Sequence, residues 1–147
     1  MTMSTQRLDV LTRLAESRTG QAAEEVARSR SGLNEQESRL LELRRYVEEY
    51  RARPLPQKPG LIANRELFLA RLSEAERQQS RTVEAAAQTL RESTKCWLER
   101  RAGQRKFDVL QVAATHREAR VAEERSQKQL DEFGTLAFGR SPDLSSN

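Results

Sequence analysis

The chain is poor in the residues that build compact cores. It has one Trp, two Tyr and four Phe among 147 residues. Its 53 apolar residues include 18 Leu and 17 Ala but only seven Val and one Ile, so the β-branched and aromatic types that strands favour are scarce. That composition excludes a sheet protein. The longest apolar run, Leu67 to Ala70, is four residues long, far below the ~20 needed for a membrane-spanning helix. No transmembrane segment is expected. Met1 to Leu14 alternates charged and apolar residues without a continuous apolar stretch, unlike a secretory signal, and a cytoplasmic protein is expected. Cysteine and histidine each occur once, at Cys96 and His116. A lone pair so spaced is too small for a zinc site and offers no internal disulfide. On one continuous helix the two would stand ~30 Å apart, too far for joint catalysis. No metal or other cofactor is expected.

Charge is what the chain has in abundance: 33% of its residues are charged and 36% hydrophobic, with a mean hydropathy of −0.83. Such numbers fit long solvated helices. Proline falls only at Pro54, Pro56, Pro59 and Pro142. Because proline breaks helix interiors, two uninterrupted stretches remain, one covering residues 1–53 and one covering 61–138, joined by a Pro-rich connector at 54–60. A helical hairpin follows. The last segment, 139–147, pairs a helix-ending glycine with a proline and polar residues, and a disordered tail is expected there.

Periodicity supports the hairpin. In the first stretch Leu8, Ala15, Ala22, Ser29, Gln36, Leu43 and Tyr50 recur every seventh position. Thr12, Thr19, Val26, Leu33, Leu40 and Val47 form a second set, offset by four, and together the sets make the 3-4 seam of a left-handed coiled coil. Its apolar strength lies between Val26 and Tyr50. The layers at Thr12, Thr19, Ser29 and Gln36 are polar, which predicts a weaker N-terminal half. In the second stretch the same spacing runs through Phe68, Leu72, Ala75, Gln79, Thr82, Ala86, Thr89, Ser93 and Cys96, and later through Phe107, Leu110, Ala114 and Val121. A neighbouring stripe, Leu69, Val83, Leu90 and Trp97, widens the apolar face beyond one seam. Either stripe fits the seam, and the other is then free for a partner. At 1.5 Å per residue the helices would be ~75 and ~115 Å long, so the second should run past the first by ~25 residues.

The formal charge of +4 and a pI near 9.7 raise the question of nucleic acid. Residues 1–53 carry ten basic and nine acidic side chains, and 61–138 carry fourteen and twelve. Both helices are therefore nearly balanced, as solvated coiled-coil faces are. Lys95, Arg100, Arg101, Arg105 and Lys106 stand against Glu99 alone, a local surplus of +4. A nucleic-acid interface needs a longer basic stripe with aromatics for stacking, so a solvated face or an acidic protein partner fits better. No Gly-rich phosphate loop, nucleophile triad or paired-carboxylate site stands out. Neither an enzyme nor a small-molecule substrate is expected.

At the hairpin tip the residues become more specific. Tyr46-Val-Glu-Glu-Tyr50-Arg51, then Gly60-Leu61, Asn64-Arg65 and Phe68-x-x-x-Leu72-x-x-Ala75, resemble the signature of the FliJ family of the flagellar type III export apparatus. Trp97 in its basic surroundings and Asp131-Glu132-Phe133 follow in the family's order, so the resemblance spans residues 8–138. It implies an all-α fold, a long antiparallel two-helix coiled coil like the central stalk subunit of rotary ATPases. It implies a non-enzymatic stalk that links the hexameric export ATPase to the export gate in the membrane, promotes ATPase assembly and gate activation, and escorts export chaperones. By position, the family's gate-binding face falls on Arg39, Leu43, Tyr46, Tyr50, Phe68, Leu72, Ala75 and Gln79. Four of these, Leu43, Tyr50, Phe68 and Leu72, would equally serve to lock the hairpin, whereas Tyr46 lies one position off the seam. The ATPase-binding end would comprise Leu8, Leu11, Leu14, Leu110, Arg117, Val121 and Phe133, on loosely held first turns and the overrunning second helix. Localisation would be cytoplasmic, peripheral at the inner membrane. A non-flagellar, injectisome-type stalk, a coiled-coil nucleic-acid-binding protein and a free-standing chaperone for helical cargo remain alternatives.

Overall fold

The computed structural model describes residues 4–139; of the tail expected at 139–147, Gly139 still belongs to a helix and residues 140–147 lie outside the described ones. Two helices account for nearly all of that span: α1, Thr5–Ala52, and α2, Pro59–Gly139. They pack against each other as a helical hairpin, the coiled-coil fold read from the heptads.

Each helix end has a local chemical cause. Ser4 caps α1, its carbonyl accepting from the Leu8 amide at 3.1 Å and its hydroxyl from the Arg7 amide at 3.4 Å, which satisfies an otherwise orphaned donor. The far end of α1 stops two residues before Pro54, whose ring would clash with the preceding turn. There the Arg65 guanidinium reaches across from α2 and donates to the carbonyls of Arg51 at 2.8 Å and Arg53 at 3.5 Å. A cation thus closes the negative end of the helix dipole. Pro59 opens α2, where its missing N–H costs nothing, and Lys58 accepts the first bonds from Leu61 and Ile62. Pro59 and Gly60, read from the sequence as connector, therefore belong to the first turn of α2. No described residue has a positive φ, so the connector turns without a left-handed glycine.

The chain divides into two compact units. The first comprises Ser17–Ala102 and the second Met1–Glu16 with Gly103–Asn147. Within the Ser17–Ala102 unit the helices run antiparallel, because cross-helix partners move back along α2 as one moves forward along α1. Ser29 Oγ lies 2.8 Å from Ser93 Oγ, Gln79 Nε2 donates to Gln36 Oε1 at 2.9 Å, Arg44 Nε meets Glu76 Oε1 at 3.1 Å, and the Tyr50 and Phe68 rings meet at 4.7 Å. Within the other unit Gln111 Nε2 donates to Asp9 Oδ1 at 3.2 Å and Thr5 donates to Glu118.

All thirteen α1 seam positions are buried or half-buried. Leu8, Thr12, Ser29, Leu40 and Val47 are the most enclosed. On α2 the structure corrects the sequence reading. A 3-4 series of half-buried positions runs through Leu69, Leu72, Glu76, Gln79, Val83, Ala86, Leu90, Ser93 and Trp97, skips exposed Arg100, and resumes at Gln104, Phe107 and Gln111, leading to buried Ala114, while Thr82, Thr89 and Cys96 are exposed. The two stripes are thus not alternatives. One seam takes Leu72, Gln79, Ala86 and Ser93 from the first and Leu69, Val83, Leu90 and Trp97 from the second. The neighbouring stripe is accordingly not free for a partner. The physical reason is the 3-4 repeat itself, which permits a step from 79 to either 82 or 83, and burial goes to the apolar choice.

Candidate partner-binding surfaces

The eight residues expected at the gate all fall in the Ser17–Ala102 unit. On α1 they run Arg39, Leu43, Tyr46, Tyr50 in 4-3-4 steps, and on α2 Phe68, Leu72, Ala75, Gln79 in the same steps, so each set lines one helical stripe. Arg39 and Tyr46 precede seam positions Leu40 and Val47, just as Phe68 and Ala75 precede Leu69 and Glu76. In an antiparallel pair these like flanks share one side of the seam, so the structure gathers the eight into one ribbon.

Their burial separates them. Gln79 is held in the seam, its amide donating to both the side chain and the backbone carbonyl of Gln36. Tyr50 is half-buried, its ring edge on Phe68 at an interplanar angle of 60°, with the Arg53 guanidinium 5.2 Å from its centroid. Leu43, Leu72 and Ala75 are half-buried. Arg39 is exposed and donates to Glu35 at 2.8 Å, an i,i+4 pair that holds the side chain along its own helix. Tyr46, at 43% exposure, is the large apolar group of this ribbon left open to solvent.

The seven residues expected at the ATPase all fall in the other unit, and they do not form one surface. Leu8 is 2% exposed and therefore unavailable to a partner. It is a seam residue, because its heptad position faces α2. Leu11 is half-buried; Leu14, Leu110, Arg117, Val121 and Phe133 are exposed. Leu110 lies one position off the seam, which here follows Phe107, Gln111 and Ala114. Val121 continues that seam beyond Glu118, where Thr5 marks the start of α1, so among the described residues no turn of α1 remains to cover it. An open groove lined by Thr5, Ala114, Arg117, Glu118, Val121 and Arg125 sits at this junction.

The Trp97 ring carries the Arg101 guanidinium at 5.3 Å, and an open groove nearby is walled by Arg18, Arg28, Cys96 and Arg100 with Glu24 and Glu25. Arg28 is held further in its charged form by its hydrogen bond to Glu25 and then by that carboxylate's charge. Carboxylates thus interleave with these basic groups, unlike a continuous phosphate-binding stripe. Among the described residues no group of His, Cys, Asp and Glu could hold a metal ion, and no helix is long and apolar enough to cross a membrane. Two features escaped the sequence reading. One is the Arg65 clamp on α1. The other is the unbroken positive charge of the tip, which straddles the end of one helix, the connector and the start of the next.

The family model described as Flagellar FliJ protein matches residues 3–143. No curated protein and no solved structure is a match to the chain.

Proposed function

The chain belongs to the FliJ family of flagellar proteins, a component of the flagellar export apparatus, and on that premise we propose that it acts as a non-enzymatic stalk between the export ATPase and the membrane export gate. The Ser17–Ala102 unit binds the gate through the ribbon around Tyr46. The other engages the ATPase hexamer through Leu14, Leu110, Arg117, Val121 and Phe133, promotes its assembly and relays its state to the gate. Export chaperones are further partners, and the protein works at the cytoplasmic face of the inner membrane.

The observation that carries this reading is the exposure of Tyr46 beside a locked Tyr50–Phe68 pair. Packing gives no reason for a large aromatic ring in water at that position, whereas a partner that buries it does. The uncovered apolar positions of α2 beyond Glu118 support the second contact. Val121 on the seam's continuation, and Leu130, Phe133 and Leu136 off it, leave exposed apolar side chains that a larger assembly could bury. The arginines and glutamates around Val121 predict a salt-sensitive contact.

The test is a pair of binding assays on one truncation. Removing residues 119–147 should abolish ATPase association and stimulation, yet leave binding to the gate's cytoplasmic linker intact. A truncated chain that still bound the ATPase in full would overturn the assignment of that end.

A further inference from the structure

The tip is the longest stretch of the sequence without a carboxylate. Residues 50–65 hold Arg51, Arg53, Lys58 and Arg65 and no acidic side chain. Some arginines along the helices pair with carboxylates, as in Arg13–Asp9, Arg39–Glu35, Arg44–Glu76, Arg77–Glu74 and Arg91–Glu84. None of the four tip cations forms an ion pair among the described residues. Arg65 bonds backbone carbonyls and Arg53 covers the Tyr50 ring, and neither contact cancels a positive charge. The same segment exposes two leucines, Leu55 at 68% and Leu61 at 51%. Pro54, Pro56 and Pro59 hold the turn that presents them, so little conformational entropy remains to be lost when it docks.

We propose that this tip is a docking surface for an anionic lipid bilayer, with Leu55 and Leu61 entering the interface and the four cations meeting lipid headgroups. Exposed aliphatic side chains ringed by lysine and arginine are the chemistry that an anionic interface rewards, through burial of apolar surface and attraction to negative headgroups together. The alternative occupant, an acidic peptide, suits the geometry less well. The groove at the tip is lined by Leu61, Arg53 and Arg65, but Leu55, Lys58 and Arg51 lie outside it. A peptide seated in the groove would leave those three unused, whereas a fluid surface takes groups pointing in several directions. The proposal is independent of the gate contact. Its assay contains no gate protein, so the two readings fail separately.

The experiment is co-sedimentation of the full-length protein with vesicles of phosphatidylcholine alone or with about one-third phosphatidylglycerol, a proportion that gives a strongly negative surface. Binding is expected only to the phosphatidylglycerol vesicles, and it should weaken steeply in about 0.5 M salt. Arg53→Glu with Lys58→Glu should reduce binding at least roughly tenfold, and Leu55→Ser with Leu61→Ser should reduce it while circular dichroism reports unchanged helicity. Arg105→Glu with Lys106→Glu, outside the tip, should bind as the parent does. An environment-sensitive dye on Leu55→Cys, in a Cys96→Ser background, should shift to the blue on the anionic vesicles. No binding to the anionic vesicles, equal binding of the tip variants, or loss through the 105/106 variant instead would each overturn the proposal. So would an unshifted dye alongside binding of an acidic peptide that the tip variants abolish, which would make the occupant a peptide.

Discussion

Two tyrosines four residues apart in one helix do different work. Tyr50 sits on a seam position and meets Phe68 edge-on at 4.7 Å, a geometry that adds to the area each ring buries. Tyr46 precedes the seam residue Val47 and stays 43% exposed. Truncating them should therefore separate stability from binding. Tyr50→Ala should lower the unfolding free energy by about 1–3 kcal/mol, below the range for truncating a fully buried aromatic because the site is only half-buried. Tyr46→Ala should leave the denaturation midpoint nearly unchanged while weakening gate binding and motility. Urea melts read beside a pull-down on the gate linker would decide it. A Tyr46→Ala chain as unstable as Tyr50→Ala would make Tyr46 a packing residue and remove the basis of the binding claim.

At the scale of the helices, legibility in the sequence depended on contrast. In α1 most apolar seam residues are flanked by more polar neighbours, and the whole seam could be read directly. In α2 the pairs Thr82/Val83, Thr89/Leu90 and Cys96/Trp97 offered two self-consistent stripes, and only packing against α1 decided between them. The Arg65 clamp was not legible, because its acceptors are backbone carbonyls that no side-chain pattern announces. The ribbon proposed to meet the gate was located by resemblance, while its sorting into locked and open members required the burial of each side chain. The polar layers are the other feature of this scale. Ser93 donates to the Thr89 carbonyl at 2.8 Å, so the shared hydrogen in the Ser29–Ser93 contact comes from Ser29. Gln79 is satisfied twice by Gln36. Buried polar pairs of this kind fix register at a cost in stability. Replacing Gln36 and Gln79 together by Leu should raise stability by about 1–2 kcal/mol, with a double-mutant cycle giving a coupling of about 0.5–1.5 kcal/mol for the native pair. A double variant less stable than the parent would show that the amides contribute more than register.

Across the whole chain, apolar residues are rationed and unevenly placed, and this sets where it should open first. The Ser17–Ala102 unit holds the enclosed Leu40 and Val47, the Tyr50–Phe68 pair, the serine and glutamine layers and the Arg65 clamp. The unit formed by residues 1–16 and 103–147 encloses Leu8 and Ala114 but also Thr12, whose buried hydroxyl has no hydrogen-bond partner, a loss of stability wherever it occurs. From Thr115 to Phe133 every α2 side chain is exposed, so that stretch depends on its own helical bonds, which alone are marginal in water. Amide exchange should accordingly be fastest over residues 115–139, intermediate over 5–16 and slowest over 33–50 and 69–90. A fragment comprising residues 17–102 should keep most of its helicity per residue and melt within a few degrees of the parent, because the contacts that determine its unfolding lie inside it. Circular dichroism on the fragment and residue-resolved exchange on the full chain test this together. A fragment that loses its helicity, or uniform protection from 5 to 139, would mean instead that both units unfold as a single cooperative body and that the terminal end is not the weaker one.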